Sequence, residues 1–305
     1  MIKINYKKEL FKGFSGLCES VFCAPFEDPN KFSEEEWENN RFSRLIDTGH
    51  KFLEYTSIED CDFVVIPYKW DNRSSLTDSI IKEAQNFNKK ILTLHNDDFE
   101  PLNIPSESEG YIYTTAINSN DRQTNCFPFP AFTGDFFDES YRYNLSRNFG
   151  FCGAITHEIR YKILSQVYNS QLISKKFIIR KGFWAPELSK NTARQEYVKN
   201  IQDSTFILCM RGAGNFSYRF YETLMMGRIP IIIDTSQVFP FENHINYDTF
   251  SFRIRESEIV NIELILKNIS NIPDDKIKMM QDKSREVWLE YMSPEGWIKN
   301  FLKEL

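Results

Sequence analysis

The chain has 305 residues, 41% of them hydrophobic, 26% charged and 15% aromatic. That length suggests two domains, and this composition excludes a disordered chain; with only 12 Gly and 12 Pro, collagen-like and low-complexity classes are excluded as well. The net charge of −6 offers no basic excess for a nucleic-acid partner.

The six cysteines (Cys18, Cys23, Cys61, Cys126, Cys152, Cys209) form no C-x-x-C pair, and with four scattered histidines they argue against a structural zinc site. Most lie in apolar runs, as reduced core residues do, which points to a reducing compartment. The start, MIKINYKKELFKGF, lacks the apolar stretch of a signal peptide, and no apolar run is long enough for a membrane span. The expectation is a cytoplasmic protein, or a soluble domain of a larger one.

The first fifty residues give little order, apart from a helix over 33–47 with Ser33 as its cap and three Glu at its N-terminal end. The run Asp62–Pro67 reads as a buried strand. A helix opens at Ser74, with Leu76, Ile80, Ile81, Ala84 and Phe87 on one face, and Lys90–Leu94 is the next strand. Strand, helix and strand make a βαβ unit, which builds parallel sheets. Gly110–Thr114 is a third strand candidate, and the Pro-rich stretch from Cys126 to Asp138 reads as an irregular connection, with a domain boundary near Arg147.

The rhythm then repeats. Strands are expected at Phe149–Ala154, Lys176–Arg180, Thr205–Met210 and Ile229–Asp234, with helices at His157–Tyr168, Arg194–Ile201 and Ser217–Met226 between them. After Phe252 the pattern turns helical. Ile277, Met280, Ser284, Val287, Trp288 and Tyr291 form one stripe, and Ser293-Pro294 starts a last helix with Trp297, Phe301 and Leu305 inward. The alternation indicates an α/β chain of two doubly wound, Rossmann-like domains facing a cleft: 1–147, then 148–273, with helices over 274–305 crossing back onto both. That is the GT-B glycosyltransferase architecture, but some dehydrogenases and periplasmic binding proteins share it, so fold leaves function open.

Chemistry concentrates in 204–242, STFILCMRGAGNFSYRFYETLMMGRIPIIIDTSQVFPFE. A buried strand runs into Arg211-Gly212-Ala213-Gly214-Asn215, whose glycines let the backbone approach a ligand closely. Ser217 caps the following helix. A helix N-terminus beside a Gly-rich loop is an anion site, and Arg211 adds a charged donor. The segment matches neither G-x-G-x-x-G nor the P-loop, so a nucleotide diphosphate held without a Walker lysine fits it better. Glu222, further along the helix, can accept from ribose hydroxyls; an i,i+3 ion pair with Arg219 is its alternative. For Arg211 the alternative is a solvated ion pair, and for Gly212 and Gly214 a plain tight turn.

The order of these residues resembles the exostosin-like glycosyltransferases of family 47. The resemblance rests on Met210-Arg211-Gly212, then Ser217, Arg219 and Glu222, then Gly227-Arg228-Ile229-Pro230-Ile231-Ile232, and Pro240-Phe241. Upstream, Phe149-Gly150-Phe151-Cys152-Gly153 followed by Arg160 is similar to the family's entry into the same domain. It covers about 149–270, and Met210 stands where the family usually has Pro. It implies a GT-B fold, an inverting mechanism and a nucleotide-sugar donor, most often a UDP-sugar, with a glycan acceptor. Carried over by position, Arg211, Gly212, Ser217 and Arg219 would hold the diphosphate and Glu222 the ribose, with Gly153 and Arg160 as a second phosphate element. No cofactor and no metal are implied, and association with other glycan-assembly enzymes is an expectation of the same kind.

An inverting transferase needs a general base at the acceptor hydroxyl and positive charge at the departing diphosphate. Base candidates are His95, Asp97 and Asp98 at one strand end and Asp71 after another; as single residues Asp97 and Asp98 could equally be turn caps. Asp97-Asp98 lacks the spacing of a D-x-D metal pair. Trp70, Phe127, Phe129, Phe132 and Trp184 could stack on sugars, although core packing is the commoner use, and Arg180–Trp184 could face the cleft or form a solvated turn. Two other readings stand beside the transferase: a non-catalytic sugar- or nucleotide-binding module, and a GDP-sugar-dependent fucosyltransferase.

Overall fold

The computed structural model describes residues 1–12, 14–15, 20–29, 32–33, 43–183 and 185–305. They form two compact units, Met1–Gly134 with Gln237–Phe241 and Glu290–Leu305, and Asp135–Ser236 with Glu242–Leu289. Where the sequence suggests a boundary near Arg147, the division falls between Gly134 and Asp135. The reason is local: the Asp135 carboxylate takes both terminal nitrogens of Arg285 at 2.9 Å, and Arg147 donates to the Ser270 and Ile272 carbonyls.

The first unit contains β1 (Ile2–Asn5), a small parallel pair of β2 (Phe14–Ser15) and β3 (Phe32–Ser33), α1 (Ser43–Thr48), β4 (Leu53–Tyr55), β5 (Phe63–Val65), α2 (Ser75–Asn86), β6 (Lys90–His95), β7 (Gly110–Thr114) and β8 (Cys126–Pro128). Its main sheet runs β4-β1-β5-β6-β7-β8 with every pairing parallel. Ser74 caps α2 by accepting from the Thr77 N–H, and Thr77, Ile80, Ile81 and Ala84 are its buried face. The helix expected over 33–47 lies largely outside the described residues, and only α1 is seen there. The stretch from Cys126, expected to be irregular throughout, opens with the edge strand β8. Trp70, Phe127, Phe129 and Phe132 are core residues, while Trp184 lies outside the described residues.

The second unit contains β9 (Phe149–Ala154), α3 (Glu158–Val167), β10 (Lys175–Arg180), α4 (Lys190–Gln202), β11 (Phe206–Cys209), α5 (Tyr218–Met225), β12 (Ile229–Asp234), β13 (Phe252–Arg255), α6 (Ile262–Ser270) and α7 (Asp274–Val287). The chain is therefore not helical from Phe252. Residues 252–255 first pair with Ile231–Asp234, burying Ile254. The five strands are parallel in the order β10-β9-β11-β12-β13. Phe149, Phe151, Phe206, Leu208 and Ile231 belong to the core, with Ile163 of α3 and Ile262 and Leu266 of α6. In such a sheet the chain reverses its direction of growth between β9 and β11, and ligands bind at the carboxyl ends of the strands at that point.

The C-terminal helices divide between the units. α7 belongs to the second, and a π-helical stretch, Trp288–Met292, carries the chain into the first, where α8 (Pro294–Asn300) buries Trp297.

Candidate functional site

The carboxyl ends of β9 and β11 bring together most of the residues singled out in 149–222. β11 ends at Cys209 and the chain passes through Arg211 and Gly212 to α5, whose N-cap is Ser217. Asn215 fastens this loop by exchanging hydrogen bonds with Thr235 beyond β12, at 3.2 and 2.7 Å. The Ser217 hydroxyl makes no capping bond to the helix.

The arginines divide into two kinds. Arg160 is a clamp: its Nε donates to the Arg211 carbonyl at 2.8 Å, Nη1 to Ala154 at 2.8 Å and Nη2 to Met210 at 3.1 Å. Main-chain carbonyls at both strand ends thus take much of the capacity that the sequence assigns to phosphate. Arg211 and Arg219 have donors in hand. Arg211 bonds the Ala213 carbonyl at 3.0 Å, and its buried Nε has no partner. Burial lowers its pKa, with Glu256 opposing. Arg219, 7% exposed, bonds the Cys152 carbonyl at 2.5 Å and lies 4.4 Å from the Phe151 ring centroid, with Nε and Nη1 unpartnered. A buried unpaired N–H carries a desolvation cost, and anion-binding sites leave such donors open.

Gly153 has a packing reason. A Cβ there would stand 2.8 Å from Arg219 Nη2, so only glycine lets that guanidinium reach the β9 carbonyl. At Gly212 the space is ordinary, a Cβ there falling 3.4 Å from Arg160 Nη2.

The partners of Glu222 are not those of its alternative reading, an i,i+3 pair with Arg219. Its carboxylate, 6% exposed, receives Arg194 Nη1 at 2.7 Å and the Tyr197 hydroxyl at 2.5 Å, both from α4. Burial and then the Glu222 charge push the Tyr197 phenol far up, so it stays a donor. A carboxylate offers about four lone-pair sites, so acceptor capacity remains. Arg194 and Tyr197 went unrecognised because they lie in a helix with no motif; the only cue was a basic residue on an otherwise ordinary polar helix.

His157 was also missed as a site residue. It is the N-cap of α3, its Nδ1 accepting from the Ile159 N–H at 3.2 Å. Burial, then the charges of Arg211 and Arg160, hold its pKa below the ordinary range against Glu256 and Glu158. Arg180, at the end of β10, is paired with Glu196 of α4 at 2.5 Å.

In the first unit the base candidates cluster at the ends of β5 and β6, around Lys69. Its ammonium lies 2.6 Å from Asp97 and 2.8 Å from Asp71. Burial alone would raise the Asp97 pKa, but the Lys69 bond and charge, with N–H bonds from Asp98 and Phe99, lower it overall, which weakens Asp97 as a base. Asp71 is the more open carboxylate, its side chain 69% exposed. His95 is buried with Nε2 2.7 Å from the Phe99 carbonyl and Nδ1 against the Trp70 carbonyl, so neither ring nitrogen is open to a substrate proton. Asp98 donates its N–H to Asp97, as in a turn. Among the described residues no cluster of His, Cys, Asp and Glu is arranged to hold a metal, and no helix is long and apolar enough to cross a membrane.

Comparison with known proteins bears on this second unit. The Exostosin GT47 domain family matches residues 144–269. An Exostosin-1 homolog of Caenorhabditis elegans is 30% identical over 99 residues, 32% of this chain and 25% of that protein. Exostosin-1 of Drosophila melanogaster is 30% identical over 98 residues, 32% of this chain and 12% of that protein. A probable glucuronosyltransferase of Oryza sativa subsp. japonica is 33% identical over 85 residues, 28% of this chain and 20% of that protein. The matches thus span a quarter or less of these curated relatives. Among solved structures, Anabaena Alr3699/HepE in complex with UDP and glucose aligns over 100% of this chain and 98% of that one at TM-score 0.46 and 7% identity. TarM aligns over 79% of this chain and 54% of that one at 0.42 and 12%. The stretch that the Exostosin GT47 domain model matches, residues 144–269, is the one that holds the β9–β11 site.

Proposed function

We propose that the protein is a GT-B glycosyltransferase that moves a sugar from a nucleotide-sugar donor, a UDP-sugar, to a glycan hydroxyl with inversion. The observation that carries this reading is the pair Arg211 and Arg219, whose buried N–H groups lack partners at the carboxyl ends of β9 and β11, inside the matched domain. Two guanidinium groups can neutralise the diphosphate as it leaves, with the N-terminus of α5 behind them. Glu222, held in place by Arg194 and Tyr197, is the ribose acceptor. Ser217, whose hydroxyl is not used in capping, is a further phosphate donor. The base is Asp71, whose carboxylate is more open than that of Asp97 and which Lys69 positions.

The test is calorimetry and thermal shift with UDP and GDP on the parent and Arg211→Ala. Hydrogen bonds to charged groups contribute about 1.5–3 kcal/mol, so Arg211→Ala is expected to weaken UDP binding roughly ten- to a hundredfold. Stabilisation by GDP over UDP would favour the fucosyltransferase reading, and no stabilisation by either nucleotide would remove the donor site altogether. Because arginines supply the leaving-group charge, transfer is expected to persist in excess EDTA; loss of activity restored by Mn²⁺ would contradict this.

A further inference from the structure

Resting on the nucleotide-sugar reading above, we propose that His157 is an additional ligand of the phosphates, donating a hydrogen bond from Nε2 beside Arg211. The tautomer follows from the helix cap. Nδ1 accepts the Ile159 N–H at 3.2 Å, so in the neutral ring Nδ1 carries the lone pair and Nε2 the hydrogen. Around the ring stand Arg211 from the β11–α5 loop, Glu256 before α6, and Arg160 and Glu158 from its own helix; burial and the two arginines keep it neutral. The imidazole is therefore fixed as a donor, with a longer reach than the serine or asparagine that usually fills such a position.

Geometry brings the residues on either side of His157 to the phosphate loop. Arg160, one turn further along α3, bonds the carbonyls of Met210 and Arg211, and the Cβ that Gly212 lacks would lie 3.6 Å from Thr156 Oγ1. The first turn of α3 is thus bolted to Arg211-Gly212. That an anion belongs here is indicated independently by the unpartnered buried nitrogens of Arg211 and of Arg219, whose residue is 7% exposed. The charge of Glu256 acts on both His157 and Arg211 and is the negative charge a bound phosphate must outcompete.

The experiment uses the full chain, with UDP, GDP and inorganic pyrophosphate as probes, titrated by calorimetry against the parent, His157→Asn and Glu256→Gln. Asparagine keeps a capping acceptor for the Ile159 N–H but is too short to reach the phosphate. It is expected to weaken UDP and pyrophosphate binding about tenfold with an unchanged unfolding midpoint. Glu256→Gln is expected to tighten both about threefold. In a protein labelled with ¹⁵N-histidine, the His157 Nε2–H signal is expected to shift on adding UDP while Nδ1 keeps its acceptor signature. If the parent binds UDP or pyrophosphate but His157→Asn binds as tightly, or the His157 signals do not move, His157 is only a helix cap and this proposal falls alone. If the parent binds none of the three probes, the nucleotide-sugar reading falls and takes this proposal with it.

Discussion

Buried Arg219 and Glu222 and partly buried Arg194 and Tyr197 form a group in which each side chain sets what the others can do. Tyr197 donates to Glu222, and its ring lies 5.4 Å from the Arg194 guanidinium and 5.6 Å from that of Arg219. Glu222 thus has its charge matched by Arg194, while Arg219 bonds the Cys152 carbonyl. Removing one member of a buried pair strands the other charge, so Arg194→Ala is expected to destabilise the protein by about 3–5 kcal/mol. A double-mutant cycle on Arg194 and Glu222, read in urea, is expected to show coupling of about 1–3 kcal/mol. The same cycle on Arg219 and Glu222 is expected to give much less, because Arg219 is tied to the Cys152 carbonyl instead. Equal coupling in both cycles would mean that Glu222 serves the two arginines alike.

Elements here are joined by arginines that bond several groups at once. Arg228, 1% exposed, donates to the carbonyls of Tyr141, Arg142, Gln202, Met226 and Gly227, and burial brings its pKa down to about 10. It pins the segment before β9 to the end of α4 and the start of β12. In the sequence it appears only as the Arg of a Gly-Arg-Ile-Pro match, since three of its five carbonyl partners, those of Tyr141, Arg142 and Gln202, come from distant segments and leave no local pattern. Arg73 does the same at the surface of the first unit, joining Asp78 of α2 to Glu109 before β7. The Arg73 bond holds the Glu109 pKa down, at about 2 against an ordinary 4.5, with burial opposing. A depressed carboxylate adds stability above its unfolded pKa and loses it as pH falls through the folded value. After allowance for the half-open Arg73, that contribution is about 1–2 kcal/mol. Glu109→Gln is therefore expected to lower stability by that amount at pH 7, with the gap to the parent closing between pH 4.5 and 2. A constant difference down to pH 2 would assign the effect to packing rather than charge.

At the scale of the whole molecule, the sequence carried more of the second unit than of the first. β9 to β12 alternate with α3 to α5, so apolar runs mark the strands, and the family motif follows their order. β1 and β4 were missed because they are short strands at the edge of a long and poorly patterned stretch, where register comes from parallel pairing of β4 with β1 and of β1 with β5 and not from local sequence. The C-terminal stripe was legible as apolar, but that it divides after Leu289 is a tertiary fact. Its consequence is testable. Trp297 is fully buried in the first unit, with ring centroids of Phe129 at 4.8 Å, Tyr113 at 5.2 Å, Phe22 at 5.3 Å and Phe301 at 5.4 Å. The Tyr113 hydroxyl donates to the Phe301 carbonyl at 3.0 Å, so the last residues complete a core begun by the first. Truncating a buried aromatic costs about 3–5 kcal/mol, enough to bring a marginally stable domain close to unfolding. Trp297→Ala is expected to lower the melting transition of the first unit by roughly 10 °C or more. UDP should still protect the remaining transition, because its proposed ligands all lie in the second unit. Calorimetry with and without UDP separates the outcomes: two transitions of which only one moves would fit this division. A single transition that falls as a whole, with UDP protection lost, would show that the donor site depends on the core that Trp297 completes.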